Sequence, residues 1–215
     1  MKLAIYGAGG SGCEIYDLAV RCNYKKRWTD IVFIDDFKQD SHEYLADIVK
    51  FEDLLKKKYD YEIVISVGEP ISRKKLFEKL KRENFSFATL VDPTAIISPS
   101  ASIGEGTIIN EYVLIHCNVK VGHNCLMQPY STFGHGTVTG NHCVFSSRFS
   151  PGGDCSFGDC VYCGMQSTVK EKLTIGSNAV ISMGACVFQD VVADSVVIGN
   201  PARPSIKNIS GKVFR

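Results

Sequence analysis

A single histidine, His135, stands between two glycines in the stretch FGHGTVTG, residues 133–140. An imidazole can accept a proton at neutral pH and so act as a general base. The neighbouring glycines would expose backbone N–H groups, which can stabilise the oxyanion that develops during acyl transfer. The alternative is that His135 is only a surface side chain on a repetitive scaffold.

A second segment with chemical potential lies at the start of the chain, where GAGGSG follows a short apolar run and precedes a helical pattern. Its glycines fit G-x-G-x-x-G, a pattern in which backbone amides and a helix N-terminus approach a phosphate. The residues that we expect to bind substrate in this loop are Gly7, Gly9, Gly10, Ser11 and Gly12.

Two acidic residues, Asp35 and Asp36, end the next predicted strand at about the spacing expected of a ribose-binding acid. On their own, the glycine loop and this acid would indicate an NAD(P)-dependent reductase. A dinucleotide usually needs a second βαβ half, however, and this chain continues with a different repeat. A solvated strand end is the alternative reading of the two aspartates.

Composition restricts the class of partner. The chain has 24 Lys and Arg against 23 Asp and Glu, a net charge of +1, so no strong field favours nucleic acid or an anionic membrane. No apolar run approaches the roughly 20 residues that span a bilayer. The first apolar run is also too short for a signal peptide. We expect no nucleic-acid partner, no membrane insertion and a cytoplasmic location.

The nine cysteines point to packing rather than metal binding. Only Cys160 and Cys163 have C-x-x-C spacing, and a zinc site of that type needs a second pair. We predict reduced thiols, mostly buried, and no metal.

Residues 1–92 alternate between two patterns. Short apolar runs of strand type occupy 3–6, 30–34, 62–66 and 87–91, and helical spacing occupies 13–22, 51–58 and 72–83. This alternation predicts an α/β, Rossmann-like domain with a small parallel sheet. Pro93 marks the predicted domain boundary.

The period then changes. From Ile97 to Val187 every sixth residue is usually a large apolar one, and a second, smaller residue follows four positions later. Glycine often comes directly after the apolar position, as at Gly104, Gly122, Gly134, Gly140, Gly152, Gly158, Gly164 and Gly176.

Such hexapeptides indicate a parallel β-helix, in which each unit is a short strand plus a turn and each coil buries its apolar residues by stacking on its neighbours. Three units give a triangular prism with about 18 residues per coil. We assign the β-helix to 93–190 and a C-terminal tail to 191–215. Cys125, Cys143 and Cys155 should fill its small interior column.

The hexapeptide ladder, IGNPARP at 198–204 and YGAGGSG with FIDD together resemble the bacterial sugar acetyltransferases that join a nucleotide-sugar-binding βαβ domain to a left-handed β-helix. That group includes N-acetyltransferases of UDP- and GDP-4-amino sugars and the so-called sialic-acid O-acetyltransferases. The resemblance covers nearly the whole chain. It implies that the β-helix is left-handed, that the protein is a homotrimer, and that acetyl-CoA lies in the groove between neighbouring β-helices.

The resemblance also assigns roles to residues. His135 takes the position of the base, and Gly152 and Gly153 match small residues whose backbone approaches the thioester of the cofactor. The further cofactor contacts that it implies are Gly164, Ser182 and Gly184. In the tail, the charges of Arg203 and Lys207 make them candidates to meet the cofactor phosphates, with surface solvation as an equal alternative. The glycine loop would hold the diphosphate and nucleoside of an activated sugar, with Asp35, Asp36, Gly68 and Arg73.

The chain departs from the family pattern beside the histidine. Gly136 stands where the family has an acid, and Val144 stands where it has a second histidine. Because one coil is about 18 residues, Asp154 should stack on Gly136 about 4.8 Å away. We predict that Asp154 orients or polarises His135. His142, presented by a neighbouring subunit, is a second candidate base.

These features favour an acetyl-CoA-dependent N-acetyltransferase that acts on a nucleotide-activated amino sugar. Both substrates can lie in one groove, so direct attack without an acyl-enzyme is expected. An O-acetyltransferase is the close alternative. An NAD(P)-dependent reductase and an inactive β-helix scaffold are the others, the last because of the missing acid after His135.

Overall fold

The computed structural model describes residues 1–37, 46–208 and 210–213. The first part is a four-stranded parallel sheet in the order β2-β1-β3-β4, built from β1 (Lys2–Tyr6), β2 (Ile31–Ile34), β3 (Tyr61–Ile65) and β4 (Ser86–Phe87). Its helices are α1 (Gly10–Cys22), α2 (Phe51–Lys56) and α3 (Pro70–Arg82), with short 3-10 helices at Asn23–Lys25 and Lys58–Asp60. The apolar runs form its strands, and their side chains are mostly buried because helices cover the sheet. The predicted α/β domain is confirmed.

The second part is a three-sided β-helix in which each hexapeptide forms a two-residue strand. The strands are β5 (Leu90–Val91), β6 (Ile96–Ile97), β7 (Ser102–Ile103), β8 (Ile108–Ile109), β9 (Leu114–Ile115), β10 (Lys120–Val121), β11 (Leu126–Met127), β12 (Thr132–Phe133), β13 (Val138–Thr139), β14 (Val144–Phe145), β15 (Ser150–Pro151), β16 (Ser156–Phe157), β17 (Tyr162–Cys163), β18 (Thr168–Val169), β19 (Thr174–Ile175), β20 (Val180–Ile181) and β21 (Cys186–Val187). The hairpin of β22 (Ser195–Ile198) and β23 (Arg203–Lys207) ends the solenoid.

Parallel pairing stacks most strands on the one 18 residues later, for example Leu126 on Val144, and the spacing shortens to 16 residues in the last coil, where Val180 pairs with Val196. We number the faces in chain order. Face 1 contains β5, β8, β11, β14, β17, β20, β22 and β23. Face 2 contains β6, β9, β12, β15, β18 and β21, and face 3 contains β7, β10, β13, β16 and β19. Three corners, 1–2, 2–3 and 3–1, join them.

The strands of face 2 form two separate sheets, because the pairing is interrupted between β12 and β15. Pro151 in β15 has no N–H to donate to β12. The coils still stack there. Thr132 N–H donates to Phe149 O at 2.9 Å, and the hydroxyls of Thr132 and Ser150 lie 2.7 Å apart.

The core of the β-helix is a column of apolar side chains. Cys125, Cys143 and Cys155 are fully buried in it, as predicted, beside the packed rings of Phe145 and Phe149. The cysteines are free thiols. In the described residues, no three or more His, Cys, Asp or Glu side chains cluster as metal ligands would. None of the described helices has the length and apolar character needed to cross a membrane.

Two predicted boundaries need correction. The run 87–91 is split, since Phe87 belongs to the N-terminal sheet whereas Leu90 pairs with Ile108 on face 1. The β-helix therefore begins at Leu90 rather than 93. It also continues past 190, because Val196 pairs with Val180 and only β23 turns back antiparallel.

The N-terminal domain covers one side of the prism. Ile15 of α1 packs in one cluster with Leu126 and Val144 on face 1. The ring centroids of Phe77, in α3, and His142, at corner 3–1, are 5.3 Å apart. Corner 2–3 is the corner opposite face 1.

Candidate active site and nucleotide-binding loop

His135 lies at corner 2–3, between β12 and β13, with 66% of its side chain exposed. Its ring rests on the backbone of the next coil. A β-carbon at Gly153 would come within 2.6 Å of both Cε1 and Nε2 of His135, so only glycine leaves room for this position of the ring. The side chain is accessible and its ring is positioned by the fold, as a base requires.

Asp154 lies beside His135, with Oδ1 3.8 Å from Nδ1 of the imidazole. The carboxylate occupies the space above Gly136, where a β-carbon would overlap Oδ1. The two coils are joined by the Asp154 N–H, which donates to His135 O at 2.7 Å. An acid thus reaches the histidine from the following coil rather than from the following residue.

The glycine loop connects β1 to α1, and its glycines serve two different structural purposes. Gly7 has a positive φ of 110°, and a β-carbon at Gly12 would overlap Gly7 O, so these two residues form the tight turn and the close contact of helix and strand. No atom lies within 4 Å of the β-carbon positions at Gly9 and Gly10. Their backbone is therefore open to a ligand at the start of α1.

The strand ends beside this loop form a cavity of about 370 Å³, lined by Tyr6, Gly7, Asp35, Asp36 and Lys75, among others. Asp35 accepts the N–H groups of Ala8 at 2.8 Å and Phe37 at 2.9 Å, so it orders the loop. Asp36 accepts the hydroxyl of Tyr6 at 2.8 Å. Burial, followed by this bond to Asp36, raises the pKa of Tyr6. Sequence reasoning missed Tyr6 because it read the residue as part of a buried strand.

Comparison with known proteins finds similarity in both domains. Residues 2–80 match the family model of the PglD N-terminal domain. The acetyltransferase domain of PglB from Neisseria gonorrhoeae FA1090 is 26% identical, with a TM-score of 0.88 over 95% of this chain and 99% of that one. WeeI from Acinetobacter baumannii AYE is 27% identical, with a TM-score of 0.89 over 95% of this chain and 100% of that one.

Over nearly its whole length the chain is therefore similar to bacterial acetyltransferases of this two-domain type. Its solenoid is the left-handed β-helix of that group. The PglB domain has also been solved with acetyl coenzyme A.

The fold is shared with the perosamine N-acetyltransferase of Caulobacter crescentus, solved with CoA and GDP-perosamine, at 21% identity and a TM-score of 0.87 over 96% of this chain and 98% of that one. A curated relative, an acyl-[acyl-carrier-protein]–UDP-N-acetylglucosamine O-acyltransferase of Pseudomonas putida, is 30% identical over 127 residues. That match covers 56% of this chain and 47% of the relative, so the chain spans about half the length of the curated relatives it matches.

The cofactor residues expected from this family lie at two different corners. Gly152 and Gly153 adjoin His135 at corner 2–3, whereas Gly164, Ser182 and Gly184 lie at corner 1–2, across the width of face 2. The β-carbon position at Gly184 is surrounded by open space. A β-carbon at Gly164 would clash with the backbone of Met183, so coil stacking explains why residue 164 is a glycine. Arg203 is exposed on β23 and donates to Ala202 O at 2.9 Å.

The predicted substrate role of Arg73 is wrong. The side chain is fully buried between α3 and corner 3–1, where it donates to Ile65 O at 2.6 Å, Asn124 O at 3.0 Å and Val67 O at 3.0 Å. Its second terminal nitrogen donates to Asn124 Oδ1 at 2.9 Å. Burial lowers its pKa to about 10. Arg73 thus joins the two domains and fixes the loop that contains Gly68.

His142 is also not an outward side chain. It is 7% exposed, lies against Phe77, and its Nδ1 is 3.0 Å from Nδ2 of Asn124. Burial, and then the charge of Arg73, lower its pKa to about 4. The neutral ring is part of the contact between the domains, and α3 covers it, so it does not serve as a reserve base.

His123 has a structural partner as well. Its Nδ1 accepts the N–H of Glu105 at 3.2 Å, and its own N–H donates to Asn141 Oδ1 at 2.9 Å. Among the histidines in the part of the chain that the structure describes, His135 is therefore the one with an accessible ring beside a carboxylate.

Proposed function

We propose that this protein transfers the acetyl group of acetyl-CoA to the amino group of a nucleotide-activated amino sugar, with His135 as the general base. The observation that carries the proposal is the exposed imidazole of His135, held over the glycine backbone of the next coil with a carboxylate 3.8 Å away. The family and the acetyl-CoA complex of the PglB domain support the identity of the donor.

The chemistry follows from what the corner offers. His135 accepts the proton that the amine loses as the new C–N bond forms. The C–S bond of the thioester breaks, CoA leaves as the thiolate, and the proton held by His135 passes to that sulfur, which restores the neutral base. Exposed backbone N–H groups at the glycine-rich corner are suited to stabilise the developing oxyanion. Acetyl-CoA supplies the activated acyl group, and Gly152, Gly153 and Gly184 are the residues that we expect to hold it.

Asp154 is a positioning residue in this proposal. Its carboxylate favours one orientation of the imidazole and stabilises the protonated ring after transfer, which is the role of the acid in other histidine bases. Asp154, on the following coil, thus supplies the carboxylate that Gly136 lacks.

The site is proposed to be shared between copies of the chain in a homotrimer. The glycine loop and α1 lie on the side of face 1, whereas His135 lies at the opposite corner. The expected cofactor residues are likewise divided between corners 2–3 and 1–2. If corner 2–3 of one copy meets corner 1–2 of the next around face 2, a closed three-fold ring unites both sets at each of three interfaces.

Two relatives favour different acceptors. The perosamine enzyme is named an N-acetyltransferase, whereas the Pseudomonas relative is named an O-acyltransferase. We favour the amine because the chain matches the two-domain structures over nearly its whole length and matches the O-acyltransferase over only half.

Mass spectrometry of the products tests the proposal. Wild-type protein and the variants His135→Gln and His142→Gln are incubated with acetyl-CoA and UDP-, GDP- and dTDP-linked sugars, each as the amino sugar and as its hydroxyl counterpart. We expect one added acetyl group on an amino sugar only, a rate lowered roughly 100-fold or more by His135→Gln, and activity retained by His142→Gln. Acetylation of the hydroxyl counterpart would establish an O-acetyltransferase, and an active His135→Gln would contradict the role of the base.

A further inference from the structure

The turns that lead into β2 and β3, residues 24–30 and 56–62, meet at the end of the N-terminal sheet opposite the glycine loop. Arg27 of the first turn donates to Glu62 of the second at 2.6 Å, and Lys2, at the start of β1, pairs with Asp30 at 3.0 Å. We call this surface the basic edge, because its two turns contain six Lys and Arg residues against three Asp and Glu. The net charge of +1 for the whole chain therefore conceals a local excess of positive charge.

Four lysines of the basic edge form no ion pair in the part of the chain that the structure describes. Two of the three acids of the edge, Asp30 and Glu62, are engaged in the ion pairs above, which leaves Asp60. Glu83, in the next turn, accepts a hydrogen bond from one of these lysines through its carbonyl oxygen at 3.1 Å. The four lysines are Lys25, Lys26, Lys57 and Lys58. Their positive charge exceeds what Asp60 and Glu83 can balance.

Exposed tyrosines are interleaved with these lysines. Tyr24 and Tyr59 are each the central residue of a 3-10 helix, and they are 71% and 80% exposed. The ammonium groups of Lys25 and Lys58 lie 5.4 Å from the centroids of the two rings. Helix dipoles favour cations near the ends of α1 and α2, but they give no reason for the exposure of two aromatic rings. A basic surface with exposed aromatic side chains has the character of a docking surface.

We propose that the basic edge docks the protein on the surface of an anionic membrane, without insertion into the bilayer. Near an anionic surface each Lys contributes about fivefold to partition, and Tyr side chains prefer the level of the lipid headgroups. The lysine stems can lie along the rings while their ammonium groups remain in water. The glycine loop opens at the other end of the sheet, so the docked protein keeps that loop accessible to molecules in solution.

Nucleic acid is the other polyanion that such a surface would attract. Readout of a duplex requires a helix or a pair of strands that enters a groove, whereas the basic edge consists of turns. Val20, in the last turn of α1, adds a half-exposed aliphatic side chain that a phosphate backbone would not use. The mixture of lysine, tyrosine and aliphatic groups therefore favours a lipid surface. This inference does not depend on the reaction that the protein catalyses.

Sedimentation with vesicles tests the docking surface. Wild type, Lys25→Gln/Lys57→Gln and the control Lys120→Gln/Lys170→Gln, which removes two exposed lysines of the β-helix, are mixed with vesicles of phosphatidylcholine alone or with phosphatidylserine added. We expect binding to the phosphatidylserine vesicles only, weakened roughly 20-fold by the edge variant and little by the control. Added salt should weaken the binding, and an excess of UDP, which would occupy the glycine loop, should leave it unchanged. Tyr24→Ser/Tyr59→Ser should also weaken it while the salt dependence stays, because the charges are kept.

Four results would overturn the proposal. The first three are no binding to phosphatidylserine vesicles at low salt, equal binding to phosphatidylcholine alone, and an equal effect of the two lysine variants. Displacement of the vesicles by UDP is the fourth, and it would assign the contact to the glycine loop. A fluorescent duplex oligonucleotide is titrated in parallel. Binding of it that requires Lys25 and Lys57, in a protein that binds no vesicles, would assign the basic edge to nucleic acid.

Discussion

Two glycines next to His135 occupy positions where a larger residue does not fit. A β-carbon at Gly153 would strike the imidazole, and one at Gly136 would strike the carboxylate of Asp154. The pair of His135 and Asp154 therefore depends on residues that bear no side chain. The register of the hexapeptides was sufficient to predict that Asp154 stacks on Gly136, because a fixed period determines which residues become neighbours in adjacent coils.

Replacing Asp154 by Asn tests its positioning role. Asn tolerates the left-handed φ of 59° at this position as well as Asp does, so the fold should be unaffected. Both side chains are at least half exposed, so we expect a modest decrease in kcat, roughly fivefold, with the KM for acetyl-CoA unchanged.

Steady-state kinetics with two further variants would separate position from charge. Asp154→Glu should retain more of kcat than Asp154→Asn, because it keeps the carboxylate. Asp159→Asn is the control at corner 3–1, where an amide oxygen can still accept the N–H of Asn141. Equal kcat in Asp154→Asn and wild type would contradict the role.

At the scale of the elements, α3 and corner 3–1 of the β-helix form one buried polar contact. The guanidinium of Arg73 has carbonyl acceptors in both domains, and Asn124 bridges it to His142. The sequence alone did not predict these contacts, because they join residues of different domains. Arg73 and Asn124, for example, are 51 positions apart. A periodic pattern identifies stacking within the β-helix, but it carries no information about which corner a separate domain covers.

The buried His142 should make the protein sensitive to acid. Its pKa falls from an ordinary 6.5 to about 4 in the folded state, so folding favours the neutral form of the imidazole. The stabilisation is complete above pH 6.5 and is lost as the pH falls towards 4, because the unfolded chain takes up the proton first. At pH 4.5 this loss amounts to roughly 2 to 3 kcal/mol.

Urea unfolding at pH 7 and pH 4.5 measures this effect. The other charged groups near His142, namely Lys74, Glu78 and Asp159, are present in both proteins, so the comparison with His142→Gln isolates the histidine. We expect the free energy of unfolding to fall less with acid in the variant. The same slope in both proteins would show that the ring is not held neutral.

At the scale of the whole molecule, the chain separates the groups that its proposed chemistry must combine. Composition, repeat period and the glycine motif were enough to predict two domains in their order, whereas the choice of His135 as candidate base came from the family resemblance. They did not place the N-terminal domain on face 1, which depends on side-chain packing of Ile15 against Leu126 and Val144. That placement is the observation that supports our proposal of a site shared between chains.

Mixed oligomers test the shared site most directly. One chain carries His135→Ala, and a second carries Gly10→Asp, whose carboxylate would repel a diphosphate at the start of α1 while favouring the helix. The two are co-expressed with different tags, and complexes containing both tags are purified and assayed for acetyl transfer.

Each variant alone should be inactive. In a trimer whose sites combine His135 of one copy with the glycine loop of the next, every complex that contains both variants has one intact site of three, so about a third of the wild-type rate should return. No activity in the mixed complexes, with wild-type complexes active under the same tags, would show that each site is built within one chain and would contradict the account.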